Sequence, residues 1–206
     1  MTLGTTSVDA SPMLAETVPE ADFVDLALQN PANRAILERV PALGLEDVWL
    51  VAGSVFETVW NVRSGRPAGE NIADYDIFYF DKDLSWDAED RHIKRLPAVF
   101  GALAKHVELK NQARVHLWYR DRFGHDYPQL TSSREGIDRF LVAGTCIGIR
   151  PARDSFEVYA PFGLDDAWSG ILRPNPKIGP PELFRAKAEQ YRARWPWLTI
   201  VDGATS

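Results

Sequence analysis

Two aspartates, Asp74 and Asp76, stand one residue apart in "ADYDIFYFD". On a strand, side chains two apart share a face, so both carboxylates point the same way with Cα atoms roughly 6–7 Å apart. Tyr75, Ile77 and Tyr79 then face the other side. Like charges so placed raise one another's pKa unless a cation neutralises them. Magnesium suits such hard oxygen donors and takes carboxylates together with substrate phosphates. Two metals about 3.5–4 Å apart are the usual clamp for in-line phosphoryl transfer. The ordinary reading of Asp-x-Asp is a solvated strand start, and the pair alone does not choose between the two. Asp81 and Asp83 read as a strand end and a turn.

A second stretch, "LVAGSVFETVWN", ends an apolar run in Gly53-Ser54. Ser54 has the chemistry of an N-cap, and Glu57 three residues on completes capping-box spacing. The same helix start exposes unpaired N–H groups, and glycine lets a phosphate approach them. A third acid, Glu108, lies between two apolar residues in "HVELK". It projects opposite to its apolar neighbours, and joins the aspartates if its strand pairs beside theirs.

The elements that must position these residues follow from periodicity and breakers. Residues 20–29 and 31–40 read as helices divided at Asn30-Pro31, with Leu43-Gly44 as a stop. "EDVWLVAG" is a strand apolar on both faces. The following helix carries Val55, Phe56, Val59 and Trp60 as one stripe and stops at Gly65. A helix is expected from about Trp86 to Lys105, acids first and bases last. "HVELK" is a strand, and "NQARVHLWYRDRFG" a helix capped by Asn111 and closed by Gly124. A short helix in "SSREGIDRFL", a strand pair "TCIGIR"/"FEVYAP", a short helix in "DDAWSGIL", a long last helix and a short final strand complete the chain. The expectation is an α/β (α+β mixed) fold: a central mixed sheet flanked by helices, with C-terminal helical additions. Residues 1–18 form a loose tail and 19–206 one domain, its core about 45–120 and the additions about 125–201.

Other residues have plainer readings. Arg185, Lys187, Arg192 and Arg194 on the last helix read as a solvated basic face, with a phosphate-facing cleft edge as the alternative. Arg114 and Trp118, four apart, can stack. His116 reads as a surface or hydrogen-bonded histidine, and Asp165-Asp166 as caps of the short helix. Cys146, the only cysteine, reads as a buried inert thiol, since a lone cysteine makes no internal disulfide. That fits a cytoplasmic protein. No window approaches the ~18 apolar residues of a membrane span. With net charge -6, the 206-residue chain is no general binder of nucleic acid or anionic membranes.

An apolar strand ending in Gly53-Ser54, a helix, Asp74-Tyr75-Asp76, then Val107-Glu108-Leu109, resembles the DNA polymerase beta-like nucleotidyltransferase superfamily. "VELKNQARVHLWY", "APFGLDDAWSGILRPNP" and "KAEQYRARWPWL" extend the likeness, over roughly residues 25–201, to a family of small bacterial nucleotidyltransferase-like proteins. The resemblance implies a nucleotidyltransferase-like sheet with a nucleoside triphosphate in a cleft. Gly53 and Ser54 would hold the triphosphate, and Asp74 and Asp76 magnesium, with manganese as a substitute ion. Glu108 would be the third acid, with Glu157 as fallback. The implied reaction moves a nucleoside monophosphate to a hydroxyl of a small-molecule or protein acceptor, releasing pyrophosphate. A catalytically inactive nucleotide- or partner-binding member is the alternative. An aspartate-nucleophile phosphatase fits less well, because its acids follow an apolar strand and these precede one.

Overall fold

The computed structural model describes residues 17–178 and 181–201; the expected N-terminal tail lies, but for its last two residues, outside them. The chain opens with α1 (Glu20–Ala27) and α2 (Pro31–Arg39). The Asn30 side chain accepts from the amide of Ala32, and Pro31 occupies the first turn, where no N–H is missed. Gly44 ends the following 3-10 turn in the left-handed region, at φ 62°. The short β1 (Trp49–Val51) leads into α3 (Gly53–Arg63). Gly65, at φ 69°, closes α3: its amide donates to Val62 and that of Arg66 to Asn61, each at 2.9 Å.

Next come β2 (Tyr75–Tyr79), α4 (Trp86–Ile93), α5 (Leu96–Phe100) and β3 (Val107–Asn111). The single helix expected from Trp86 to Lys105 is three pieces, the last a 3-10 stretch over Gly101–His106. Pro97 cannot continue a helix from before it, and Gly101 turns left-handed at φ 58°. The helix expected after Asn111 also divides, into a 3-10 stretch Gln112–Leu117 and α6 (Tyr119–Phe123). Its ends are as expected: the Asn111 side chain accepts from Ala113, and Gly124 is left-handed. Then follow α7 (Ser133–Ile137), β4 (Gly148–Pro151), β5 (Phe156–Tyr159), α8 (Asp165–Ser169), β6 (Ile171–Leu172), α9 (Pro181–Arg194) and β7 (Thr199–Ile200).

The main sheet has the order β3-β2-β1-β4-β5, with β2 and β3 parallel and the other pairs antiparallel. It is the expected mixed sheet flanked by helices, and β4 and β5 extend it beyond residues 45–120. A parallel pair, β6-β7, stands apart. One sheet face packs Leu50, Ile77, Tyr79, Leu109 and Ile149 against Phe23, Ile36, Val55 and Phe100. The other carries Trp49, Val51 and Phe78 against Ile137 and Cys146.

Helix α3 departs from the single stripe read in its sequence. Val55 and Val59 join the first core, whereas Phe56 and Trp60 pack with Phe184, Tyr191 and Trp195. Residues 54–61 are all buried, so α3 is a central strut between sheet and α9. The Trp60 indole donates to the Ala167 carbonyl (2.8 Å) and that of Trp195 to Asn61 (2.9 Å), so neither buried N–H is orphaned.

Candidate functional site

A cavity of about 470 Å³ opens where four pieces of chain meet. They are the start of α3 (Ala52, Gly53, Phe56, Glu57), the loop entering β2 (Asn71 to Asp74, then Asp76), residues 139–142 with Thr145, and Lys187, Tyr191 and Arg194 of α9. Its volume falls within the range of small-molecule sites, about 300–1,000 Å³.

The strand-to-helix corner is strained. Ala52 has φ 60° and ψ -148°, a conformation that costs a residue with a Cβ on the order of 1–3 kcal/mol. Its carbonyl accepts from the amides of Val55 (3.0 Å) and Phe56 (3.4 Å), which begins the α3 hydrogen-bond ladder. A Cβ at Gly53 would lie 3.1 Å from the Glu57 carboxyl carbon, a tight contact that the Glu57 side chain would have to relieve by shifting.

The capping box expected of Ser54 and Glu57 does not form. Ser54 is 1% exposed, and its hydroxyl donates backward to the Val51 carbonyl (3.1 Å). Its own carbonyl accepts from Asn33 and from Thr58, each at 2.6 Å. The Ser54 side chain therefore faces the interior, and only Gly53 of the Gly-Ser pair lines the cavity. Glu57 takes a two-pronged bond from Arg194 instead, at 2.9 and 2.6 Å. Arg194 is thus paired as well as partly solvated, and with Lys187 it puts α9 on the cavity edge. Lys187 lies 4.9 Å from the Tyr191 ring centre and, among the described residues, has no carboxylate partner. Arg192 keeps the plainer role, paired with Glu189.

Asp74 and Asp76 both line the cavity. Asp74 is exposed, just before β2, and enters no ion pair among the described residues. Asp76 lies in register with Val51 on one side and Glu108 on the other, so the expected alignment of Asp76 and Glu108 is met. The outcome differs in detail. Lys110, two residues beyond Glu108 and on its face, donates to Asp76 at 2.6 Å and pairs with Glu108 at 2.7 Å. The Glu108 carboxylate is half exposed on the edge strand and does not line the cavity. Glu157 is further away: it pairs with Arg134 and Arg150 and faces a separate hollow shared with Asp47.

Burial pushes Asp76 above the usual carboxylate range; Lys110 opposes the shift, while Glu108 and Asp74 reinforce it. Burial works against the Lys110 ammonium, yet Asp76 and Glu108 hold it above its ordinary value. Both partners shift upward, so one ammonium does not repay the burial of Asp76. A further cation beside Asp74 and Asp76 is electrostatically favoured. Among the described residues no three His, Cys, Asp or Glu side chains converge to hold a metal. Two carboxylates still fit magnesium, which keeps waters and takes substrate phosphates rather than a closed protein cage.

Further from the cavity, Arg114 does not stack on Trp118. It is buried against Glu89, with its Cζ 5.3 Å from the Trp86 ring centre. Asp165 and Asp166 make no capping bond: Asp165 accepts from the Val18 amide and Asp166 from Arg173. Cys146 is buried as expected, its thiol pushed up to about 12 by burial. His116 leaves Nδ1 buried without a partner. Among the described residues no helix is long and apolar enough to cross a membrane.

The sequence reading passed over Lys110, Arg139 and Tyr191. Only Lys110 had a usable signal, its strand spacing from Glu108; the other two come from elements whose placement is a tertiary fact. Comparison with known proteins bears on the whole assembly. Residues 38–200 match the family model described as Nucleotidyltransferase. An NMR structure described as revealing a CCA-adding enzyme head domain is similar at 27% identity and TM-score 0.72. That likeness covers 90% of this chain and 97% of the other. No curated protein matches the chain in sequence. Matched over most of its length and folded as the resemblance implied, the chain belongs to the nucleotidyltransferase family.

Proposed function

We propose that this protein transfers a nucleoside monophosphate from a nucleoside triphosphate to a hydroxyl acceptor, with magnesium held by Asp74 and Asp76. The observation that carries this reading is the meeting, in one cavity, of the strained α3 start, two acids short of positive charge and an unpaired Lys187. The likeness to a CCA-adding enzyme head domain supports nucleotidyl transfer as the chemistry.

The triphosphate lies at the α3 start, where Gly53 permits approach and the backbone amides of Gly53 and Ser54 donate. Lys187 offsets phosphate charge from the α9 side. Asp74 and Asp76 would hold magnesium, which when bound would supply charge neutralisation for the phosphates. The acceptor hydroxyl gives up its proton to solvent water at the open cavity, its oxygen bonds to the α-phosphorus, and the bridging P–O bond breaks as pyrophosphate leaves. The residues contribute position and field rather than covalent chemistry. Glu108 takes no part in this version, because Lys110 already engages it outside the cavity. A single buried thiol suits a reducing, cytoplasmic setting.

The thermal stability of the full chain with each of the four nucleoside triphosphates, with and without magnesium or manganese, tests the reading. At a free ligand concentration 100 times Kd, binding stabilises the fold by about 2.7 kcal/mol. Metal-dependent stabilisation by at least one triphosphate is expected; none with any of the four sinks the proposal. A second reading, a binding protein without turnover, is favoured by one feature, the amine already seated on Asp76. Metal-dependent binding without pyrophosphate release, whatever acceptor is supplied, selects it.

A further inference from the structure

Among the described residues, Arg139 alone lines both the 470 Å³ cavity and a second hollow of about 300 Å³, bounded also by Gln129, Glu135, Asp138 and Lys177. Its Nε is buried and has no hydrogen-bond partner. The acids beside it are occupied. Asp138 accepts from Lys177 (2.8 Å) and the Tyr159 hydroxyl (2.7 Å), and Glu135 accepts from the Thr131 amide (2.6 Å) and hydroxyl (2.8 Å). What holds Arg139 is the Tyr127 ring, 4.7 Å from Cζ to its centre. A buried N–H of a charged group left unmatched is costly, and a planar guanidinium is built to take an oxyanion two-pronged.

The position on the sheet says which anion. On the face of β2 that packs against Ile137 and Cys146, Asp76 lies beside Val51, whose strand leads into Gly53, and Phe78 lies one step further along, beside Trp49. The Phe78 ring meets that of Phe140, the neighbour of Arg139, at 5.9 Å. Along β2, the α3 start and the Phe78–Phe140 contact thus lie to either side of Asp76. An in-line displacement places the incoming oxygen opposite the leaving pyrophosphate. With the triphosphate at the α3 start, Arg139 falls on the acceptor side.

We propose that Arg139 anchors the acceptor, and that the acceptor is a small hydroxyl compound bearing an oxyanion, a phosphate or a carboxylate, seated in the second hollow. This rests on the nucleotidyl-transfer reading above for the orientation of the triphosphate, though the anion site itself does not.

The test uses the full chain, magnesium and a saturating non-hydrolysable triphosphate analogue, with inorganic phosphate titrated in one arm and acetate in the other. Phosphate or acetate should raise the melting temperature further, and the responding arm names the anion class. Arg139→Gln should weaken that anion at least tenfold while leaving analogue affinity within twofold. Arg139→Lys, which keeps the charge and loses the fork, should fall between and guards against a folding defect. The proposal is overturned if neither anion adds a shift, if the analogue competes the anion away, or if Arg139→Gln weakens the analogue equally. Arg139-dependent anion binding with no analogue binding at all upholds the anion site and removes the nucleotidyl-transfer reading instead.

Discussion

Two cation–carboxylate pairs flank the end of β3, and they are built differently. Arg114 and Glu89 are each about one-tenth exposed, and both make further hydrogen bonds to the backbone. The Arg114 Nε donates to the Leu84 carbonyl (3.0 Å), and Glu89 also accepts from the Asn111 amide (2.9 Å). Lys110 and Asp76 are more open, at 39% and 21% exposed, and the other charges on Asp76 are acids. The first pair is closed upon itself and fixes α4 against the exit of β3. The second is partly open to solvent, and its Asp76 lines the cavity. Closure marks structure, and unmet charge at a cavity wall marks a place for a ligand.

That contrast can be broken by experiment. Glu89→Gln leaves a buried guanidinium without its counter-charge and should cost about 3–5 kcal/mol of unfolding free energy. Urea denaturation measures it, and a loss under 1 kcal/mol would mean the pair is not the closed unit described. Arg194→Ala strips the partner from Glu57, whose side chain is 10% exposed, at about 3 kcal/mol, the low end because Arg194 is partly solvated. The same variant should loosen α9 from the cavity and weaken triphosphate binding, which a change of stability alone would not do.

Asp74→Asn and Asp76→Asn should each abolish magnesium-dependent stabilisation by triphosphate, about 2.7 kcal/mol at 100 times Kd. Both should remain folded. Metal-dependent shifts that survive in both variants move the metal elsewhere. Glu108→Gln removes only a half-exposed pair with Lys110 and should change stability by less than about 1 kcal/mol. It should also leave metal-dependent binding intact, and a loss as large as that of Asp76→Asn would restore Glu108 as the third acid.

The smallest effect concerns His92 on α4, packed edge-on against Tyr79 with ring centres 5.6 Å apart. Burial lowers its pKa; Asp81 opposes the shift, and Arg95 and Arg91 add to it. A histidine lowered in the folded state binds fewer protons than in the unfolded chain between its lowered value and 6.5. Stability then rises with pH across that window and is lost as pH falls through it. His92→Phe should flatten the dependence, and an unchanged slope would assign it to another group.

Much of this was legible in local sequence. The helix break at Asn30-Pro31, the short helix in "SSREGIDRFL", the left-handed stops at Gly44, Gly65 and Gly124, and the face shared by Asp76 and Glu108 rest on short-range rules that tertiary packing left in force. The failures in side-chain partners have one cause. Ser54 and Glu57 had capping-box spacing, but Arg194, 137 residues away, offered Glu57 a full counter-charge, and the Ser54 hydroxyl found the Val51 carbonyl first. Arg114 and Trp118 had stacking spacing on a helix, but their segment breaks between them, and Glu89 claimed the guanidinium.

The sequence by itself determined the alternation of elements, the acid pair on one strand face and the glycine at the corner, because each depends on backbone periodicity or a missing Cβ. Only the tertiary structure decided which charges meet. A carboxylate binds the strongest donor brought within 3 Å, and it was the docking of α9 and the parallel seating of β3 that brought Arg194 to Glu57 and Lys110 to Asp76.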